Sequence, residues 1–141
     1  MSTIALLAPF LLGALGQPAG PSREEILCAI RQVESRSRDD CPDGDGGRAI
    51  GPFQIHRRYW LDAVESDPSI GGRYEDCRDR AYAEKVVIAF LKRHAPEAWR
   101  AADAETLARV HNGGPKGASK ASTEPYWRKV RKALSSRNPP P

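Results

Sequence analysis

Apolar residues recur at helical spacing in several separate stretches of the chain. Ile26, Leu27, Ile30 and Val33 share one helix face, and Ser22 and Glu25, following Pro21, form a capping-box signature ahead of them. "RRYWLDAV" (57–64) predicts a short helix that "SDPSIGG" breaks. The longest pattern runs through residues 75–94, with Ala83, Val86, Val87, Phe90 and Leu91 on its apolar face; Pro96 ends it or starts the next segment. "DAETLARVH" predicts another helix, from Asp103 as N-cap to a stop at Gly113–Gly114. A last helix is expected with Thr123 as cap, Pro125 in its first turn, and Trp127, Val130 and Leu134 facing one way. Between these patterns, residues 35–50 are mostly Ser, Asp, Gly and Arg, and "CPDGDGG" signals consecutive tight turns. "GPFQI" (51–55) is a short strand or a tight loop. The expected class is therefore α+β and predominantly helical, with a small β-hairpin or turn-rich region.

Composition narrows this picture in three ways. The chain has 141 residues, which is room for one compact domain, expected over residues 17–134 with a disordered tail at 135–141. It is basic, with 22 Lys and Arg against 18 Asp and Glu and a net charge of +4. Such a protein favours polyanions: nucleic acid, an anionic membrane or a bacterial wall polymer. "IALLAPFLLGAL" (4–15) is uncharged and of secretory length but too short to span a bilayer. Small residues Ala14 and Gly16 then precede a cut, so residues 1–16 are expected to be a signal peptide and the protein secreted (periplasmic if bacterial). The region before this run lacks the usual Lys or Arg. Cys28, Cys41 and Cys77 make an odd count, open to one disulfide and one leftover thiol in any of three pairings. Their spacing suggests neither a metal site nor a nucleophilic cysteine, and no cofactor is expected.

Five carboxylates crowd into residues 34–45: Glu34, Asp39, Asp40, Asp43 and Asp45. Glu34 stands apart. It lies four residues after Ile30 and seven after Leu27, on the apolar stripe of the first helix and at its C-terminal end. Burial and the negative end of the helix dipole both disfavour a charged carboxylate there, as a general acid requires. Asp39 and Asp40 read as surface loop residues. Asp43 and Asp45 each precede Gly, where Asp is an ordinary turn former. One acid on a buried helix end and another on an adjacent turn is the pairing that glycoside hydrolysis uses.

"VES", "GDGGRAIGPFQI", "YWLDA", "ARVHNGGPKG" and "YWRKV", in that order, resemble the invertebrate-type (i-type, destabilase-like) lysozymes over about residues 25–132. The resemblance implies a lysozyme-like fold and cleavage of the β-1,4 bond between N-acetylmuramic acid and N-acetylglucosamine in peptidoglycan. Glu34 matches the family's catalytic acid. The family's Asp lies seven residues before the Gly that opens its equivalent of "GPFQI", and that position here is Gly44. Asp45 and Asp43 flank it, and Asp45 is preferred because "DGG" runs directly into "RAIGPFQI". Substrate contacts are expected from Gln54, from the backbone of Phe53 and Ile55, from Tyr59 as a stacking face, and from His111 and Asn112 in "HNGGP". Trp60 serves either as a second stacking face or as core. Animal members are rich in cysteine, so three cysteines suggest a bacterial or other non-animal relative.

Other readings stay open at this stage. A lytic transglycosylase needs Glu34 alone and releases a 1,6-anhydro product. A non-catalytic cationic wall-binding or membrane-disrupting protein needs no acid at all, although the basic residues are scattered rather than stacked on one helix face. Isopeptidase activity, credited to some relatives, finds no Ser/His/Asp order here to support it. "WRKVRK" is basic with one aromatic, but secretion argues against nucleic acid as a partner. The partner expected is bacterial peptidoglycan, met by a monomer with no stable membrane insertion.

Overall fold

The computed structural model describes residues 19–137. The expected signal peptide at 1–16 lies outside them, as do residues 138–141 of the expected tail. Six α-helices and one two-stranded antiparallel sheet make up the described chain: α1 (Arg23–Ser35), β1 (Ala49–Ile50), β2 (Ile55–His56), α2 (Arg57–Ser66), α3 (Arg80–His94), α4 (Pro96–Ala101), α5 (Ala104–Gly113) and α6 (Glu124–Arg137). The class is α+β and predominantly helical, with the small hairpin where the turn-rich sequence placed it.

Helix α1 starts as its sequence dictates. The Ser22 hydroxyl accepts from the Glu25 amide at 3.2 Å, and the Glu25 carboxylate accepts from the Ser22 amide at 2.7 Å. It stops one residue after Glu34's neighbour Ser35, where Arg36 turns left-handed at φ 54° and its amide is received by the Gln32 carbonyl. Ile26, Leu27, Ala29 and Ile30 are buried, against α5 and α6. Helix α5 sits at the centre of the packing, touching α1, α3, α4 and α6, with Leu107, Ala108 and Val110 sealed from solvent. Leu107 and Val110 each contribute about 1.5–3 kcal/mol by leaving water.

Three boundaries differ from expectation for identifiable reasons. The 75–94 pattern is not one helix: a 3-10 turn covers Tyr74–Arg78, and the Asp79 carboxylate then caps α3 through the Tyr82 amide at 2.9 Å. Pro96 opens α4 rather than merely closing α3. Thr123 is not a side-chain cap, because its hydroxyl is spent on the Gly117 carbonyl at 2.7 Å and receives the Arg109 guanidinium at 2.9 Å. At the other end α6 continues through Arg137, so the first three residues expected in the tail are helical.

The hairpin pairs Ala49 with His56 and Ile50 with Ile55, and a further bridge joins Gly44 to Ala49. That bridge ties the acidic loop to the sheet, so the turn bearing Asp45 is an ordered part of the fold. Gly51 opens the connection at φ 73°, close against the Cys77 backbone.

The three cysteines are free thiols, and none of the three possible pairings is made. Cys77 is fully buried, and burial, reinforced by the nearby Asp76 and Glu75, pushes its thiol up to about 12. A neutral alkylating reagent at pH 8 is expected to modify Cys28 and Cys41 and to spare Cys77 until denaturant is added, as peptide mass mapping will show. The linkage has a defined sign. The folded value lies above the ordinary 9.0, so the unfolded chain loses this proton first, and stability present below pH 9 is lost as the pH rises toward 12.

Candidate active site

Glu34 is held in the last turn of α1, with its side chain 18% exposed. Two groups converge on its Oε1, one of them as a hydrogen-bond donor. The Tyr126 hydroxyl of α6 donates to it at 2.8 Å, and Nε2 of His111 on α5 lies 3.3 Å away. Behind His111, its Nδ1 is 3.0 Å from the Tyr59 hydroxyl of α2. Four elements of the helical core thus meet at one carboxylate oxygen.

Hydrogen-bond accounting assigns the protons in this chain. Burial, aided by the charges of Glu34 and Asp62, pushes the Tyr59 hydroxyl well above its ordinary range, so it stays protonated and donates to Nδ1. That leaves Nε2 as the ring nitrogen on the Glu34 side, 3.3 Å from Oε1. Tyr126 is raised in the same way, by burial first and then by the Glu34 charge. Glu34 Oε2 has no partner among the described residues. No sealed side-chain oxygen or nitrogen among them lacks one, so Oε2 faces open space.

That space is a cavity of about 250 Å³ lined by Glu34, Asp45, Gln54, His56, His111 and Asn112 among others. A second hollow of about 410 Å³, reached past Gln54, is lined by Glu34 and Asp43. The two together make a cleft with Glu34 at its junction. Asp45 lines the same cavity as the acid. Its Oδ1 accepts from Arg48 at 2.8 Å, and His56 Nε2 stands 3.4 Å from Oδ2. Asp43 is differently placed: both its oxygens are taken by the forked Arg78 guanidinium, which lowers its proton affinity below the ordinary carboxylate range. Asp39 and Asp40 are exposed, the latter paired with Arg38, as surface loop residues should be.

Backbone strain gathers at the same place. Among the described residues five non-glycines have positive φ, and four of them, Arg36, Ser37, Asp45 and Gln54, follow Glu34 or belong to the cleft loops. Such conformations cost of order 1 kcal/mol or more and persist where the surroundings over-determine them.

The expected substrate contacts divide. Gln54 and Asn112 line the cavity, and the Asn112 side chain has no partner among the described residues, leaving it free to meet a sugar. The Gln54 amide is already committed to the Gly51 and Pro42 carbonyls at 3.1 and 3.3 Å, so it fastens the acidic loop to the hairpin. Phe53 and Ile55 are buried and line neither cavity, and the Ile55 carbonyl already accepts from the Tyr74 hydroxyl. Tyr59 and His111 line the cavity as well; one face of the Tyr59 ring is covered by Phe90 at 3.7 Å between centroids, and His111 Nε2 lies beside Glu34. Trp60 packs inside, donating to the Tyr82 hydroxyl at 2.8 Å. Tyr126 and His56 were not expected at all: 92 residues separate Tyr126 from Glu34, and only helix packing brings them together. No cluster of metal-ligating side chains is found among the described residues.

Comparison with known proteins agrees with this geometry. The Destabilase family profile matches residues 23–133. Lysozyme from Ostrea edulis is 33% identical over 134 residues, covering 93% of this chain and 94% of its own length. Lysozyme 1 of Crassostrea virginica is 34% identical over 113 residues, which span 79% of this chain but 59% of that longer protein. The crystal structure of Tapes japonica lysozyme superposes with a TM-score of 0.65 at 28% identity, covering 79% of this chain and 92% of its own. Lysozyme from Meretrix lusoria, solved in complex with Aeromonas hydrophila PliI, gives 0.65 at 32% identity, covering 79% and 89%.

Proposed function

This chain belongs to the Destabilase family, the invertebrate-type lysozymes, and from that premise we propose that its cleft is a muramidase site with Glu34 as general acid and Asp45 as its carboxylate partner. It is a glycoside hydrolase, and the substrate is the β-1,4 linkage between N-acetylmuramic acid and N-acetylglucosamine in peptidoglycan. One observation carries the assignment of roles: Glu34 Oε1 is tied by Tyr126 and His111 while Oε2 is free over a cavity that Asp45 also lines.

The chemistry follows from that placement. With Oε1 accepting from Tyr126 and faced by His111, the transferable proton belongs on Oε2, toward the glycosidic oxygen. As the C–O bond breaks, that proton passes to the departing sugar, and Asp45 attacks or stabilises the oxocarbenium centre left behind. Water then adds to the anomeric carbon, giving its proton to Glu34 and releasing Asp45 if a covalent bond had formed. The acid is thereby restored, and net retention follows where Asp45 bonds the carbon and water then displaces it. Asn112 is free to orient the sugar. Secretion and action outside the cell as a monomer belong to the same proposal. No helix among the described residues is long and apolar enough to cross a membrane.

The choice between the two aspartates has a direct test. Asp45→Asn is expected to lower kcat on bacterial walls by about 10²-fold or more. Asp43→Asn, which loses an exposed ion pair with Arg78, should cost no more than about 1 kcal/mol of stability and leave kcat within a few fold. Equal rates for the Asp45 variant and the unchanged protein would remove Asp45 from the mechanism.

A further inference from the structure

Beyond the catalytic cleft, on the far side of His56, lies a separate hollow of about 440 Å³ lined by Gly47, Arg48, His56, Arg57, Arg58 and Tyr74. His56 lines both this hollow and the cavity of Glu34 and Asp45, so the two adjoin across its side chain. The lining contains three guanidinium groups and one imidazole, and no carboxylate.

Three of these four groups have an acidic neighbour outside the lining. Arg48 pairs with Asp45 at 2.8 Å, His56 Nε2 stands 3.4 Å from the same carboxylate, and Arg57 reaches Glu75 at 3.6 Å. Arg58 has no partner among the described residues. The floor is pre-formed: Tyr74 donates its hydroxyl to the Ile55 carbonyl at 2.8 Å, and the Arg57 guanidinium lies 5.0 Å above its ring. Rigid placement of a planar cation leaves less entropy to lose when an anion docks.

We propose that this hollow is an anion subsite for the wall polymer, taking the carboxylates of the peptide stems carried on the muramic acid residues next to the one being cleaved. The inference rests on the muramidase reading, since it is the glycan running through the cleft that delivers an anionic branch past His56. Wall-linked phosphate would present the same chemistry, and the two sources are separable. The subsite makes the enzyme prefer peptide-bearing strands over bare glycan, with a preference that salt screens.

The test uses binding, so it does not depend on turnover. The full chain carrying Glu34→Gln, which leaves the wall intact, is sedimented with insoluble wall, and the bound fraction gives Kd. Adding Arg58→Glu is expected to weaken binding about tenfold at low salt, roughly the effect of reversing one charge beside an anion. Lys132→Glu on α6 makes the same change in net charge and is expected to leave Kd within twofold. Amidase removal of the peptide stems should erase the difference between the Arg58 and Lys132 variants. If instead hydrofluoric acid extraction of phosphate erases it, the subsite stands with phosphate as its ligand. Equal binding by the Arg58 and Lys132 variants on untreated wall would overturn the subsite. Loss of the cleavage reading would appear separately, as wild-type protein that binds wall and does not cut it.

Discussion

Glu34→Gln is expected to abolish clearing of a bacterial wall suspension, lowering kcat by at least about 10²–10⁴-fold, the range general acid catalysis supplies. The substitution is close to isosteric, and the surroundings accept it. The amide oxygen takes the place of Oε1 and still receives the Tyr126 hydroxyl, with His111 Nε2 beside it. The amide nitrogen then occupies the Oε2 position over the cavity, where it offers hydrogens it cannot release. Thermal unfolding should therefore change little while turnover is lost. That combination separates chemistry from folding. Near-normal clearing by the variant would show that another group donates the proton.

The largest expected effect on stability is that of Gly51→Ala. Gly51 holds φ at 73°, a left-handed conformation that costs a residue with a side chain about 1–2 kcal/mol. A Cβ built there meets the Cys77 carbonyl oxygen at 1.9 Å, its carbon at 2.8 Å and the Arg78 Cα at 3.0 Å. All three are backbone atoms, so no flexible side chain can swing away, and the hairpin must part from the segment before α3. A loss of at least about 3 kcal/mol is expected from the conformational cost and the displacement together, a large share of the 5–15 kcal/mol typical of a domain. Gly46→Ala is the control: its φ is 63° but nothing lies within 4 Å of a new Cβ, so only the conformational cost applies. Melting curves followed by circular dichroism should place the Gly51 variant well below the Gly46 variant. Coincident melting would show that the close approach to Cys77 is unimportant. Activity is expected to fall with the Gly51 fold, because the same turn carries Gln54, which fastens the acidic loop.

The two halves of the site were unequally legible in the sequence. Glu34 could be picked out because helical periodicity is local: a polar residue on an apolar stripe at a helix end is visible without knowing what packs there. The hairpin at 49–56 and the caps at Ser22 and Asp103 were legible for the same reason, since turn and cap chemistry act over three or four residues. What surrounds Glu34 was not. Tyr126 read as an ordinary member of the last helix, and its contact depends on the crossing of α1 and α6. His111 and Tyr59 were placed on the substrate side, yet their polar atoms are consumed by each other and by Glu34. Phe53 and Ile55 stand within a motif that borders the cleft, but strand alternation and the tight turn direct them into the core. The aspartates were separable only once Arg78, 35 residues after Asp43, was seen to close on it.

The central claim is that water, activated after Glu34 has protonated the leaving sugar, ends at the anomeric carbon of N-acetylmuramic acid. Digestion of purified peptidoglycan in ¹⁸O-labelled water, with mass spectrometry of the released muropeptides, tests it most directly. The expected products have reducing N-acetylmuramic acid ends carrying one labelled oxygen, and the Glu34→Gln protein should release none above background. Unlabelled 1,6-anhydro ends from the wild-type protein, or labelled ends in equal yield from the variant, would contradict the account.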